Sequence, residues 1–136
     1  MKFSFSWLKD YLETDFTADE VGDVLTDTGL EVESIIDPKK RLGKLSVGEI
    51  LRVEKHPNAD KLKVCEVKSS TGIMNIVCGA PNVKSGMKVV VARPGDFIPG
   101  LDVHLKASKI RDIKSEGMMC SERELEISDE HDGIIE

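Results

Sequence analysis

The 136-residue chain has few aromatic side chains: one Trp, one Tyr and four Phe, 4% of the whole. A broad stacking platform for single-stranded nucleic acid needs more, so serial base stacking is not the expected mode of recognition. Cysteine is scarce as well. Cys65, Cys78 and Cys120 are odd in number and show no CxxC spacing. That pattern suggests neither a disulfide framework nor a zinc site, and reads as small buried hydrophobes. The histidines His56, His104 and His131 have no local arrangement with a cysteine that marks a nucleophile pair. His56 has no second metal ligand at useful spacing. Long apolar runs are absent, none approaching the ~20 residues of a membrane span. The opening Met1-Lys2-Phe3-Ser4 lacks the apolar stretch of a secretory signal. The expectation is a cytoplasmic protein with no membrane association.

Hydrophobic residues make up 40% of the chain, enough for a core and too many for disorder. The length suits one domain, or a domain with a small appendage. The net charge of −6 conceals a division along the chain. Residues 1–42 hold 5 basic and 10 acidic side chains, residues 43–114 hold 13 and 7, and residues 115–136 hold 1 and 8. Positive charge is thus concentrated in the middle, as a footprint for phosphate requires, although surface solubilisation alone also produces such a surplus.

Ser6–Leu12 reads as a short amphipathic helix with Trp7 as a core anchor. A second helix is signposted by the T-x-x-E capping box of Thr17 and Glu20, by a possible staple between Phe16 and Val21, and by Gly29 as a left-handed stop. Leu30–Ile36 alternates as a strand, and Asp37–Gly43 is a polar connection. After Gly43 the pattern becomes short strands between turn residues: Leu45–Val53, Leu62–Val67, Ile73–Cys78, Met87–Ala92, and a fifth near Leu101–Ile110. Glu122–Ile127 is expected as a short closing helix and Gly133–Glu136 as the start of another strand. The expected fold is mainly β: a five-stranded OB-fold barrel over 43–136, preceded by a small α/β segment over 1–42. Residues 1–36 are too few to bury a core alone, which suggests an incomplete, split domain and a chain that is a fragment.

Three stretches stand out: His56-Pro57-Asn58-Ala59-Asp60-Lys61-Leu62, then Ile76-Val77-Cys78-Gly79-Ala80-Pro81-Asn82, then Lys109-Ile110-Arg111 followed by Ser115-Glu116-Gly117-Met118-Met119-Cys120-Ser121. Their order and spacing resemble the tRNA-binding domain shared by bacterial phenylalanyl-tRNA synthetase β subunits, methionyl-tRNA synthetase appendages and stand-alone tRNA-binding proteins. The Gly79-Ala80-Pro81-Asn82 continuation and the opening run from Phe3 to Glu33 are most similar to the N-terminal part of the phenylalanyl β subunit. That family usually has Gly where Asp112 stands, and often where Glu126 stands.

The resemblance implies a tRNA-contacting set of Lys61, Lys109, Arg111, Ser115 and Met118. Lys63, Lys84, Lys88, Arg93, Lys106 and Lys114 are candidates for a phosphate track along one barrel face. The competing reading of the motif loops is structural: turns kept for their shape and core methionines. No phosphate-cradling glycine loop appears, so no catalysis and no cofactor is expected in these residues. In the full enzyme the resemblance implies ATP and Mg2+, joining of phenylalanine to its tRNA, and as partners tRNA, the rest of the β subunit and the α subunit, in an α2β2 assembly. A stand-alone tRNA-binding protein and a pure assembly module remain alternatives.

Overall fold

The computed structural model describes all 136 residues, in two compact units, Met1–Asp37 and Pro38–Glu136. No helix is long and apolar enough to cross a membrane.

In the first unit, Ser4 caps helix α1 (Phe5–Lys9) by accepting from the Trp7 N–H. Helix α2 (Ala18–Asp27) starts at the predicted capping box: the Thr17 hydroxyl accepts from Glu20 N–H and the Glu20 carboxylate accepts from Thr17 N–H. It ends on Gly29 at φ +93°, with Leu30 N–H donating to Leu25 O and Gly29 N–H to Thr26 O, a Schellman closure. Leu30–Ile36, expected as a strand, is not one. A strand exists only when an edge pairs with it, and none does. The Thr26 hydroxyl instead accepts from Val32 N–H and donates to Gly22 O, and Ile35 lies against Gly22, where there is no side chain to displace it. Trp7 is likewise no core anchor; it is 56% exposed and meets the Tyr11 ring edge-on. Phe16, Val24, Leu30 and Ile36 are exposed too, leaving Val21 as the buried apolar side chain of this unit.

The second unit opens with helix α3 (Pro38–Leu42), where an irregular connection was expected. Leu42 packs beneath the smaller of two core clusters, and Arg41 pairs with Glu126, giving this turn tertiary support. The body is a five-stranded antiparallel sheet of β1 (Ser46–His56), β2 (Ala59–Ser69), β3 (Gly72–Cys78), β4 (Lys88–Ala92) and β9 (Met118–Met119), ordered β3-β2-β1-β4-β9. The end strands β3 and β9 lie against each other, so the sheet curls into the five-stranded, partly open barrel of an OB-fold.

Period-two alternation produces the core. Cys65 and Val67 of β2, Met74 and Ile76 of β3, and Val89 and Val91 of β4 point inward. A bulge at Leu51 changes the parity of β1, so Ile50 and Val53 both face the core. Gly48 is where β1 passes closest to its neighbours. A Cβ there would stand 2.8 Å from methyls of both Val67 and Val91.

The fifth strand was expected near Leu101–Ile110. That region instead breaks into β5 (Phe97–Ile98), a 3-10 turn at Pro99–Leu101, β6 (Val103–His104) and β7 (Ser108–Ile110), with β8 (Ile113–Ser115) following. The β5–β6 and β7–β8 pairs form small hairpins outside the main sheet. The sheet is completed by Met118-Met119, pairing with Ala92 and Val91. Glu122–Ile127 is a run of turns and not a helix, with Glu126 at φ +53°. Gly133–Glu136 forms no strand; Ile134 is gripped by both amide atoms of Asn82, and Ile135 N–H donates to Cys120 O.

Candidate nucleic-acid interface

Two hairpin ends carry the predicted basic residues. The first joins β1 to β2. His56 pairs with Ala59 across Pro57-Asn58, whereas the next pair is Lys55 with Lys63. Asp60, Lys61 and Leu62 therefore form a bulge on β2, which lifts Lys61 out of the regular ladder into solvent. Bulges re-aim side chains at barrel rims in this way. Lys63, two residues on, is committed differently: its Nζ donates to the carbonyls of Pro81 at 3.4 Å and Val83 at 3.1 Å, closing the Gly79-Ala80-Pro81-Asn82 turn.

The second end joins β7 to β8. Ile110 pairs with Ile113, leaving Arg111 and Asp112 as the two turn residues, at φ +46° and +71°. Positive φ at both positions is the signature of a type I′ turn, which favours Asn-Gly. An Arg in this region is unusual, and each left-handed non-glycine residue costs about 1–3 kcal/mol unless its surroundings hold it. Behind the turn, Lys109 stands opposite Lys114. Like charges facing across a ladder repel, so this hairpin concentrates positive charge that an anion would relieve. Lys114 leans on Glu116 at 3.2 Å, while Lys109 and Arg111 are exposed with no acidic partner.

One buried side chain connects the two ends. His56 is only 4% exposed; its Nδ1 accepts from Asn58 N–H and its Nε2 lies 3.1 Å from Ile110 O. A backbone N–H can only donate and a carbonyl only accept, so the proton sits on Nε2 and is donated to Ile110. Lys61, Lys109 and Arg111 thus belong to adjoining loops.

Ser115 and Met118 are placed elsewhere than a solvent-facing contact set requires. Ser115 is 4% exposed, and its hydroxyl accepts from Val77 N–H at 3.2 Å and donates to Gly117 O at 2.9 Å. With Glu116 N–H donating to Asn75 O, it ties the hairpin to β3. The Glu116 carboxyl is held below the usual carboxylate range, first by the Asn75 N–H and then by Lys114. Met118 is half-buried against the smaller core cluster and opens on a cleft of about 380 Å³ that includes Val77, Pro81, Ser121 and His131.

The wider basic set is dispersed. Arg93 donates to the Thr71 hydroxyl at 2.8 Å, and Lys88 sits opposite Glu49 on the sheet. No cluster of three or more His, Cys, Asp or Glu side chains is arranged to hold a metal ion. Burial pushes the Cys65 thiol up to about 11 and the Cys120 thiol up to about 12, the opposite of an activated nucleophile.

Residues 45–136 match the family described as "Putative tRNA binding domain". The chain belongs to this family. Over all 136 residues it is 54% identical to the phenylalanine--tRNA ligase β subunit of Ruegeria pomeroyi and 54% identical to that of Paramagnetospirillum magneticum. It aligns with their N-terminal part and spans 17% of their length. Among solved structures, a Naegleria gruberi RNA ligase variant shares the fold, at TM-score 0.50 and 16% identity over 66% of this chain and 31% of that one. Asp112 and Glu126, where the resemblance leads to an expectation of glycine, are both left-handed here, a backbone region that glycine enters without a Cβ penalty.

Proposed function

We propose that this chain is the N-terminal, tRNA-binding part of a phenylalanine-tRNA ligase β subunit, and that the face made by Lys61, Lys109 and Arg111 meets the tRNA backbone. The observation that carries it is the joining of the two basic loops through His56, within a chain 54% identical along its whole length to β subunits of that ligase. In this reading the barrel contributes no catalytic group. The whole enzyme uses ATP and Mg2+, held by parts other than these residues, and joins phenylalanine to its tRNA in the cytoplasm. Its further partners are the rest of the β subunit and the α subunit, in an α2β2 assembly.

Residues 1–37 are a segment of a split domain, and the tRNA-binding barrel follows, with residues 38–42 packed on it. The apolar side chains exposed on Met1–Asp37 support a packing role for that segment, since apolar patches of this kind mark interaction surfaces. Ser115 acts by fixing the hairpin. Met118 contributes only its exposed edge.

The charges are few, so binding is weak and directed by shape more than by base sequence. With three or four phosphate contacts, log K falls against log salt with a slope of roughly −2 to −4. Titration of labelled tRNA at several salt concentrations tests this. Lys61→Ala and Arg111→Ala each lower affinity and flatten the slope by about one contact. Wild-type binding by both variants, each folded, would leave only the assembly role.

A further inference from the structure

The hairpin β7–β8 stands outside the main sheet and carries Lys109, Arg111 and Lys114 around a left-handed turn. Its far end is anchored by Ser115 to Val77 and by Glu116 to Asn75. Close to the turn, the anchor is the single hydrogen bond from His56 Nε2 to Ile110 O. Ile110 immediately precedes Arg111, so the orientation of its carbonyl sets the plane of the peptide that leads into the left-handed turn. The other ring nitrogen is bonded to Asn58, in the loop that precedes the Lys61 bulge. A buried side chain with both nitrogens engaged, one in each loop, has little freedom to reorient.

We infer that His56 is a positioning residue for RNA binding: through the Ile110 carbonyl it holds Arg111 at a fixed place beside Lys61, so that both reach successive phosphates of one backbone. The inference rests on the tRNA-binding reading and deepens it. An untethered two-residue turn with both residues left-handed and neither a glycine would sample other backbone conformations, and each would move the Arg111 guanidinium away from a fixed phosphate. His56 keeps its proton on Nε2 because the Asn58 N–H occupies Nδ1, so the turn in one loop selects the tautomer that grips the other.

Two substitutions separate the nitrogens. Gln at position 56 places an amide N–H near the position of Nε2 and can keep the bond to Ile110. Asn places an amide oxygen near Nδ1 and can keep only the bond to Asn58. The experiment measures Arg111→Ala in three backgrounds of the 136-residue chain: unmodified, His56→Gln and His56→Asn. Total tRNA is the probe, affinity is read across a salt series, and thermal unfolding confirms that each variant is folded at the assay temperature. In the unmodified and Gln backgrounds, Arg111→Ala is expected to weaken binding about five- to eightfold at 0.1 M salt, with the slope shallower by about 0.7–0.9. In the Asn background it is expected to change neither, because the guanidinium is already unplaced.

Comparison within one background cancels any general loss of stability from His56 itself. An equal loss on Arg111→Ala in the Asn background overturns the inference while leaving the tRNA face intact. Absence of any loss in the unmodified chain overturns the face, and the inference with it.

Discussion

Asp112 combines two effects that substitution can separate. It sits at φ +71°, next to Arg111, in a hairpin where its carboxylate is the one negative charge of the turn. Asn, Gly and Ala all remove the charge but differ in backbone freedom. Asn tolerates the left-handed region much as Asp does. Ala carries a Cβ penalty of about 1 kcal/mol there. Gly removes the penalty but gains about 0.4–1 kcal/mol of unfolded-state freedom, which offsets most of it. The expected stability order is Asn close to wild type, Gly lower by about 0.4–1 kcal/mol and Ala lower by about 1 kcal/mol. In a unit of this size that is a drop in Tm of about 4–8 °C. For binding, a phosphate held by Arg111 about 7 Å from the carboxylate is repelled by about 0.6 kcal/mol in water, or about threefold in affinity. Screening at 0.15 M salt reduces this to about 1.5-fold. Thermal unfolding and tRNA titration at low and physiological salt measure the two effects separately. An Ala variant as stable as the Asn variant would refute the left-handed turn. Unchanged affinity in all three variants at low salt would refute a phosphate beside it.

Ser115→Ala leaves the Val77 N–H without its buried acceptor; urea unfolding is expected to show a loss of about 1–3 kcal/mol, while the folded fraction binds tRNA more weakly through a looser hairpin, with little change in salt slope because no charge is removed. Gly48→Ala puts a methyl 2.8 Å from Val67 and Val91 in the tightest part of the barrel, and its urea midpoint should fall in keeping with overpacking of about 1–3 kcal/mol. Cys65 and Cys120 have thiols raised by burial to about 11 and about 12; at pH 8 the thiolate share at Cys65 is about one in a thousand, so iodoacetamide is expected to spare both in the native protein and to label them after denaturation. Because those folded-state values exceed the unfolded ~8.5, their stabilising contribution is complete below about pH 8 and is lost as pH rises through 9 towards 11; a unit whose unfolding free energy is flat from pH 8 to 10.5 would contradict it.

The capping box of Thr17 and Glu20, the stop at Gly29 and the strands from Ser46 to Ala92 were legible because their causes are local. A side chain reaching the next turn, a glycine that accepts positive φ and a period of two between turn residues need no knowledge of distant chain. Expectations that depended on a distant partner fared differently. Leu30–Ile36 alternates as a strand does, yet alternation supplies a face and not a neighbouring edge. Trp7 and Tyr11 have the spacing of a core stripe, but nothing within Met1–Asp37 covers them. Leu101–Ile110 was read as one strand, although Asp102 is left-handed there and the barrel takes Met118-Met119 as its fifth strand.

The site divides along the same line. Sequence by itself determined which residue types are present: the concentration of Lys and Arg between residues 43 and 114, the motif loops, and the unusual Asp112. Tertiary structure alone decided which of them act together. It buried Ser115, committed Lys63 and Lys114 to neighbours, and turned Met118 towards the smaller core. It joined residues 56 and 110 by one hydrogen bond. The physical reason is that a charge or a hydroxyl is specified by one codon, whereas its availability depends on burial and hydrogen-bond partners. For Lys63, Ser115 and His56 those are set by chain segments 20, 38 and 54 positions away, brought together only when the sheet curls and its end strands meet.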